Sequence, residues 1–156
     1  MPKETLPKKK KKTTPDEFNE AARKEFGYLV KDYGFEEDPD RRKPLGPRSI
    51  CFVSPVAAVT VEGFPITMSV SVTVTCNAPE GEDQMRVPLQ TIVDQRAPGA
   101  RSEAMDLLAQ LARDASLLRQ HASELLRGEE QARKDAQRLM EKEIRKAMKK
   151  AVGVSE

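Results

Sequence analysis

The middle of the chain shows the most regular alternation of apolar and polar residues. From Ile66 to Cys76 every second residue is apolar, and the residues between them are serines and threonines. Successive side chains of a β-strand point to opposite faces of the sheet, so this pattern predicts a half-buried strand. The apolar residues expected to face inward are Ile66, Met68, Val70, Val72, Val74 and Cys76.

Shorter apolar runs predict the partners of this strand. We expect strands at 50–54 and 56–62, with the turn of an antiparallel hairpin at Gly63-Phe64-Pro65. A short edge strand is expected at 85–87, because the proline that follows it is tolerated at an edge but not in the centre of a sheet. The segment 89–93 is compatible with either a helical turn or a strand.

A helix is predicted near the N-terminus. Thr14 and Glu17 form the capping-box pattern, and the residues after them carry an apolar stripe with a spacing of three to four residues. The helix is expected to span 15–33, because Gly34 suits the left-handed position that ends a helix. Residues 36–48, which are rich in proline and charge, are expected to form a loop.

Two further helices are predicted in the last third of the chain. After Pro98-Gly99 an apolar stripe predicts a helix over 101–127 that ends at Gly128. A second, heavily charged helix with few large apolar residues follows, and we expect it to pack only lightly on the rest. The heptads within 104–125 are also compatible with a homodimer, although covering the sheet would use the same stripe.

The order of these elements predicts an α+β fold. An N-terminal helix, a three- to four-stranded antiparallel sheet and two C-terminal helices would form two layers, with the helices packed on one sheet face. The domain organisation expected is a disordered basic tail at 1–13, an α+β domain at 15–128 and a charged C-terminal helix and tail at 129–156.

The charges are separated along the chain. The net charge of +2 combines +5 in residues 1–14, −5 in residues 15–128 and +2 in residues 129–156. No apolar stretch approaches the roughly 20 residues that span a bilayer, and the lysine-rich start is not followed by a signal-like apolar segment. We therefore expect a cytoplasmic protein without membrane insertion.

Titratable and nucleophilic residues give no enzymatic signature. The single histidine, His121, is expected in mid-helix and outside the apolar stripe, where it would be solvated. Cys51 and Cys76 are expected at inward strand positions as plain buried thiols, a regulatory disulfide being the alternative. The sequence contains none of the motifs typical of serine hydrolases, zinc sites, phosphate loops or dinucleotide sites, so no catalytic, cofactor or metal residues are predicted.

Acidic residues concentrate in two predicted loops next to the sheet. Such clusters are usually solvated loop charge, but a shared acidic patch could steer a basic protein partner. The residues of this candidate contact surface are Glu36, Glu37, Asp38, Asp40, Glu80, Glu82 and Asp83.

Basic residues concentrate at the two ends of the chain. Clustered cations bind nucleic-acid phosphates without sequence preference, although no aromatic residues lie among them for stacking on bases. The candidate nucleic-acid contacts are Lys8, Lys9, Lys10, Lys11, Lys12, Arg145, Lys146, Lys149 and Lys150.

Two cap-like motifs carry a resemblance to known proteins. The segment 26–35 ends in Tyr-Gly-Phe, and the segment 117–129 ends in Leu-Arg-Gly-Glu. In this arrangement residues 15–130 resemble small uncharacterised bacterial α+β proteins, some described as immunity-like and found beside toxin genes. The first strand departs from that pattern at Cys51–Pro55, and the resemblance assigns no functional residues.

These observations lead to one main expectation and two alternatives. The main expectation is a non-enzymatic cytoplasmic protein-binding module, immunity- or adaptor-like, that acts by stoichiometric contact. The first alternative is a nucleic-acid-associated protein that uses the basic ends. An enzyme is the third and weakest reading, because the usual catalytic groups are missing. The uncharged Ser/Thr face of the long strand is expected to lie between charged neighbours or to receive a partner.

Overall fold

The computed structural model describes residues 13–40, 46–76, 84–99 and 106–152. These residues form an α+β fold, and five antiparallel strands make one sheet in the order β1-β2-β3-β4-β5. The elements in chain order are α1 (Pro15–Glu25), α2 (Tyr28–Tyr33), β1 (Glu36–Glu37), β2 (Ser49–Val53), β3 (Ala57–Phe64), β4 (Ser69–Cys76), β5 (Met85–Pro88), α3 (Leu89–Arg96), α4 (Leu107–His121), α5 (Ser123–Leu126) and α6 (Glu130–Ala151).

The core lies between one face of the sheet and the helices. Helix α1 packs on β2, whereas α3 and α4 pack on β4. The buried cluster joins alternate residues of the strands to the apolar stripes of these helices, with Phe18, Val59, Val72, Leu111 and Leu118 among its members. The predicted two-layer arrangement is therefore confirmed, with one strand more than expected.

The central hairpin differs from its prediction at the turn. Val70, Val72, Val74 and Cys76 are buried as expected. Ile66 and Met68 are not inward strand residues, because β3 extends to Phe64, which pairs with Ser69. The turn therefore occupies 65–68 and not 63–65. Within it Ile66 is 97% exposed, and Met68 has a left-handed φ of 52°.

The side chain of Gln110 holds this turn against α4. Its amide nitrogen donates to the Met68 carbonyl at 2.6 Å, and its amide oxygen accepts from the Val70 N–H at 3.0 Å. Alternation in the sequence continued through 66–68 without a strand partner, so the pattern could not show where β4 begins.

The predicted helix over 15–33 is two helices. The capping box is present, with the Glu17 N–H bonded to the Thr14 hydroxyl and the Thr14 N–H bonded to the Glu17 carboxylate. The chain leaves the helix at Phe26 and Gly27, where the Gly27 N–H bonds to the Lys24 carbonyl in a tighter turn. Glycine has low helix propensity, which favours a break at this point.

Two segments with open or different predictions are now assigned. The ambiguous segment after β5 is helix α3. The predicted loop at 36–48 begins with the two-residue strand β1, in which Glu36 pairs with Val53 and Glu37 with Phe52. This pairing was missed because two charged residues carry no alternation signal.

The predicted helix over 101–127 is also interrupted. Its first residues, 101–105, lie outside the described residues. Helix α4 begins after Asp106, whose carboxylate accepts from the Ala109 N–H at 2.8 Å as an N-cap. The helix ends at Ala122, and α5 follows it. Gly128, with a φ of 74°, then separates α5 from α6 as predicted. A Cβ atom at this glycine would lie 2.7 Å from the Val56 Cβ, so the last helix leaves the domain through a closely packed joint.

The other sheet face carries small and polar residues. Residues Ser71, Thr73 and Thr75 of β4 lie on it, with charged neighbours at two places, since Glu62 pairs with Ser71 and Arg86 with Thr75. Cys51 belongs to this face, where its sulfur lies 3.7 Å from the Thr60 hydroxyl. The expectation that both cysteines point to the same side is therefore wrong.

Candidate functional site: a groove beside the last helix

The first acidic cluster lies at the outer edge of the sheet and is partly used by the fold. Arg23 donates two hydrogen bonds to the Glu37 carboxylate, at 2.8 and 3.1 Å. This partner raises the pKa of the Arg23 guanidinium. The Asp38 carboxylate accepts from the Asp40 N–H at 3.0 Å, which shapes the local turn. Glu36 is exposed on β1.

The register of the sheet places the first acidic cluster relative to the end of β4. Glu36 pairs with Val53, close to the end of the sheet at which β4 finishes. Asp38 lies farther from that end, because its N–H donates to the Cys51 carbonyl. The members of the second cluster, Glu80, Glu82 and Asp83, lie outside the described residues.

The basic residues of the C-terminal cluster lie on α6. Arg145, Lys146, Lys149 and Lys150 are all exposed in the second half of this helix. The N-terminal run Lys8–Lys12 lies outside the described residues.

The two cysteines are buried, and neither forms a disulfide. Burial raises the pKa of the Cys76 thiol, an effect that the nearby positive charge of Arg133 offsets only in part. A buried thiol with a raised pKa holds little thiolate and is a poor nucleophile. This supports the interpretation of Cys76 as a packing residue.

A groove of about 300 Å³ runs between α6, α3 and the junction of α4 with α5. The apolar residues that line it are Ile92, Ala122, Leu125, Ala132, Ala136 and Leu139, and the polar residues that line it are Gln95, Arg96, His121, Glu124, Asp135, Arg138 and Lys142. The apolar residues from α3 and the α4–α5 junction are buried or nearly so, which places them at the floor.

Several polar side chains at the rim form hydrogen bonds with other groups of the chain and do not point their donors or acceptors at the groove as free groups. Arg96 donates to the His121 carbonyl at 2.7 Å, which satisfies a carbonyl that the end of α4 leaves unpaired. Asp135 accepts from Gln131 at 2.9 Å and from Arg138 at 3.4 Å. The groove thus combines an apolar floor with charges of both signs at its edge.

His121 occupies a different place from the one predicted. It is the last residue of α4 and not a mid-helix residue, and it is half-buried at the edge of the groove. The sequence could not show this, because the position depends on the break at Ala122 and on how α6 folds back.

The sequence gave weak signals for two buried polar residues of α4. Gln110 and Asp114 are buried, and they lie one position before Leu111 and Ala115 of the apolar stripe. Polar residues next to an inward stripe indicate a specific hydrogen-bonding role, which Gln110 fulfils at the β3–β4 turn. Asp114 accepts from Arg113 at 3.0 Å.

The sequence did not predict the groove, because the residues that line it come from three separate stretches of the chain. Short alanines on α6 are the one local feature, since Ala132 and Ala136 lie one turn apart and allow close approach of another chain.

No family model, curated protein or solved structure matches the chain. Among the described residues, no three or more His, Cys, Asp or Glu side chains are grouped so that they could hold a metal ion. No helix in the described ranges is long and apolar enough to cross a membrane.

Proposed function

We propose that this chain is a non-enzymatic protein-binding module that captures a partner in the groove between α3, α5 and α6. The observation that carries the proposal is the combination of an apolar floor with a charged rim. Protein interfaces place their energetically important contacts in such apolar pockets, and the surrounding polar ring excludes water. An immunity- or adaptor-like role by stoichiometric contact agrees with this architecture.

The polar groups at the rim favour binding over chemistry. A catalytic site needs a nucleophile or base aimed at the substrate, with a second group that orients it. Here Arg96, Asp135 and Arg138 already bind to neighbouring groups of the chain. The groove would therefore recognise an apolar side chain of its partner by shape and fix its orientation by the charges around it.

The first acidic cluster has a different role in this proposal. Glu37 and Asp38 are engaged by Arg23 and by the local turn, so they suit a structural part better than a mobile contact. Glu36 and Asp40 remain exposed at the sheet edge. Their charge would steer a basic partner during approach, whereas the groove would supply the anchor.

Site-specific photo-crosslinking in the cells that naturally make this protein tests the proposal. A photoreactive benzoylphenylalanine at Gln95, on the rim, should give one discrete protein adduct. The same residue at Gln120, an exposed helical glutamine that does not line the groove, should give none.

A groove-filling substitution completes the test. Ala132→Leu, on the groove wall, should abolish the adduct from position 95, whereas Ala112→Leu, at an exposed position of α4, should leave it unchanged. No adduct from position 95, an equal adduct from position 120, or an adduct that Ala132→Leu does not affect would each contradict the proposal.

The nucleic-acid alternative rests on the exposed cations of α6. Four cations within six residues would contact phosphates, and the affinity for DNA or RNA would then fall steeply with salt. Fluorescence anisotropy with a labelled duplex and a labelled RNA hairpin measures this. Absence of binding at low salt would remove the alternative without affecting the groove.

A further inference from the structure

The second half of α6 forms an exposed amphipathic helix. Residues 141–152 are exposed throughout, over a length of about 18 Å at 1.5 Å per residue. Ile144, Met148 and Val152, spaced one turn apart, are 55%, 63% and 71% exposed. Large apolar side chains are costly to leave in water, so a row of three of them indicates a contact surface.

The arrangement of residues around this helix divides it into two sides. At about 100° per residue, the apolar side chains fall within one arc of about 140° around the helix axis. Glu141 also lies within this arc, close to its edge. Within 141–152 this arc contains Ile144, Ala147, Met148, Ala151 and Val152. The cations fall within a second arc of about 140° on the opposite side, with Glu143 at its border. That arc contains Lys142, Arg145, Lys146, Lys149 and Lys150.

The apolar arc of the second half points in a different direction from the docked side of the first half. Ala132, Ala136 and Leu139 line the groove, and the half-buried Met140 packs against the core. By the same rotation of about 100° per residue, the centre of this docked side lies about 100° away from the centre of the apolar arc. Most of the arc therefore points away from the side of α6 that packs on the domain.

We propose that the second half of α6 adsorbs to an anionic lipid bilayer, with its apolar arc at the boundary between headgroups and acyl chains. A helix with cations on one side and apolar residues on the other is typical of binding parallel to a membrane surface. Five cations against two acidic residues in 141–152 complement an anionic surface. The contact is peripheral, since the described helices include none that could span a membrane.

Two features favour a lipid surface over the other acidic partners. The cations and the apolar arc lie on the same short stretch, and an anionic bilayer offers negative headgroups and an apolar layer to the two at once. A nucleic acid would use the cations alone and leave the apolar arc in water.

Flotation of the full-length protein with phosphatidylcholine vesicles, with and without phosphatidylserine, tests the inference. The wild type should float with the anionic vesicles and not with the neutral ones. The double variant Ile144→Gln/Met148→Gln should lower the partition coefficient about tenfold or more, because it removes the apolar contact and keeps every charge. The triple variant Lys146→Gln/Lys149→Gln/Lys150→Gln should lower it by a similar factor.

Matched controls separate membrane binding from general changes. Val30→Gln and Leu108→Gln replace exposed apolar residues on α2 and α4, and these variants should float like the wild type. Glutamine is a good helix former, and circular dichroism should show unchanged helix content in all variants.

Three outcomes would overturn the inference. The first is absence of flotation with phosphatidylserine vesicles. The second is unchanged flotation of Ile144→Gln/Met148→Gln, which would show attraction by charge alone. The third is complete loss of flotation when only the lysines at 8–12 are replaced by glutamine. Tight binding to a DNA duplex that depends on Lys146, Lys149 and Lys150 but not on Ile144, without flotation, would favour the nucleic-acid alternative instead.

Discussion

Helices α4 and α6 are both amphipathic in sequence, but the apolar side of α4 is buried in the core whereas most of α6 is exposed. The apolar stripe of α4, with Leu107, Leu111 and Leu118, is buried against the sheet and α1. Helix α6 is longer, with 22 residues, yet only Ala136 is buried. The comparison shows that an apolar stripe predicts that a helix packs against another surface. The rest of the fold determines which surface is available to it.

The difference follows from the geometry of the sheet. Its core face is covered by α1, α3 and α4, so α6 packs on β5 and α5 and lies across the groove from α3. The docked part of α6 uses Ala132, Ala136 and Met140 for its contact with the core, while Ile144 and Met148 lie beyond it. Recognition of partners would then be concentrated in the helix that the core does not use.

The largest expected effect comes from truncating the stripes of the two helices. Leu118→Ala should lower the free energy of unfolding by about 2–5 kcal/mol, because it leaves a cavity in the core. Ile144→Ala should change it by less than about 0.5 kcal/mol, since the side chain is exposed. Urea unfolding followed by circular dichroism measures both, and equal losses would show that the second half of α6 packs on the domain.

The joint between α5 and α6 should give the next largest effect. Gly128→Ala combines a strained positive φ with a close approach to Val56, and it should destabilise the protein by about 2–3 kcal/mol. Gly34→Ala is the matched control, because its φ of 73° is almost the same and a Cβ would meet nothing within 4 Å. The control should lose about 1 kcal/mol from backbone strain alone.

Unfolding of the two glycine variants under identical conditions makes this comparison. A loss for Gly128→Ala no greater than that for Gly34→Ala would indicate that the joint before α6 is not packed against Val56.

The smallest expected effect concerns the attachment of α4 to α2. The Tyr28 hydroxyl donates to the Ala115 carbonyl at 2.7 Å, so Tyr28→Phe should cost about 1 kcal/mol at neutral pH. Burial raises the pKa of Tyr28 above its ordinary value. Above about pH 10 the unfolded chain loses this proton first, so the free energy of unfolding of the wild type should fall as the pH rises.

The pH profile distinguishes burial of this hydroxyl from a merely structural role of the ring. As the pH rises from 8 through about 10 and above, the free energy of unfolding of Tyr28→Phe should fall less steeply than that of the wild type, because the variant has no proton to lose at this site. Parallel profiles of the two proteins would contradict the burial of the Tyr28 hydroxyl against α4.

The elements that the sequence predicted well are those with a repeated local pattern. Alternation identified Val70–Cys76, the capping box identified the start of α1, and Gly34 and Gly128 marked helix ends by their tolerance of positive φ. The errors occurred at two kinds of place. At Ile66 and Met68 the alternation of apolar residues continued past the last paired residue of the strand. At β1 the strand pairs although its residues show no alternation.

The candidate site was less predictable than the fold. The acidic residues were identified by type, but the bond between Glu37 and Arg23 and the position of Asp38 along β2 depend on strand pairing. The groove was not predicted, because its floor and rim come from α3, the α4–α5 junction and α6. Only the two alanines one turn apart on α6, Ala132 and Ala136, could have drawn attention to this region.

The sequence alone determined the local features of this protein, because hydrophobic period, caps and glycine positions act within a few residues of the chain. It thereby established an α+β order of elements, a buried face of β4 and a charged last helix. The tertiary structure decided which stripes were covered, where the turn of the hairpin lies and that α6 leaves a groove and an exposed end. These outcomes depend on competition among distant segments for one sheet face, and that competition has no local pattern in the sequence.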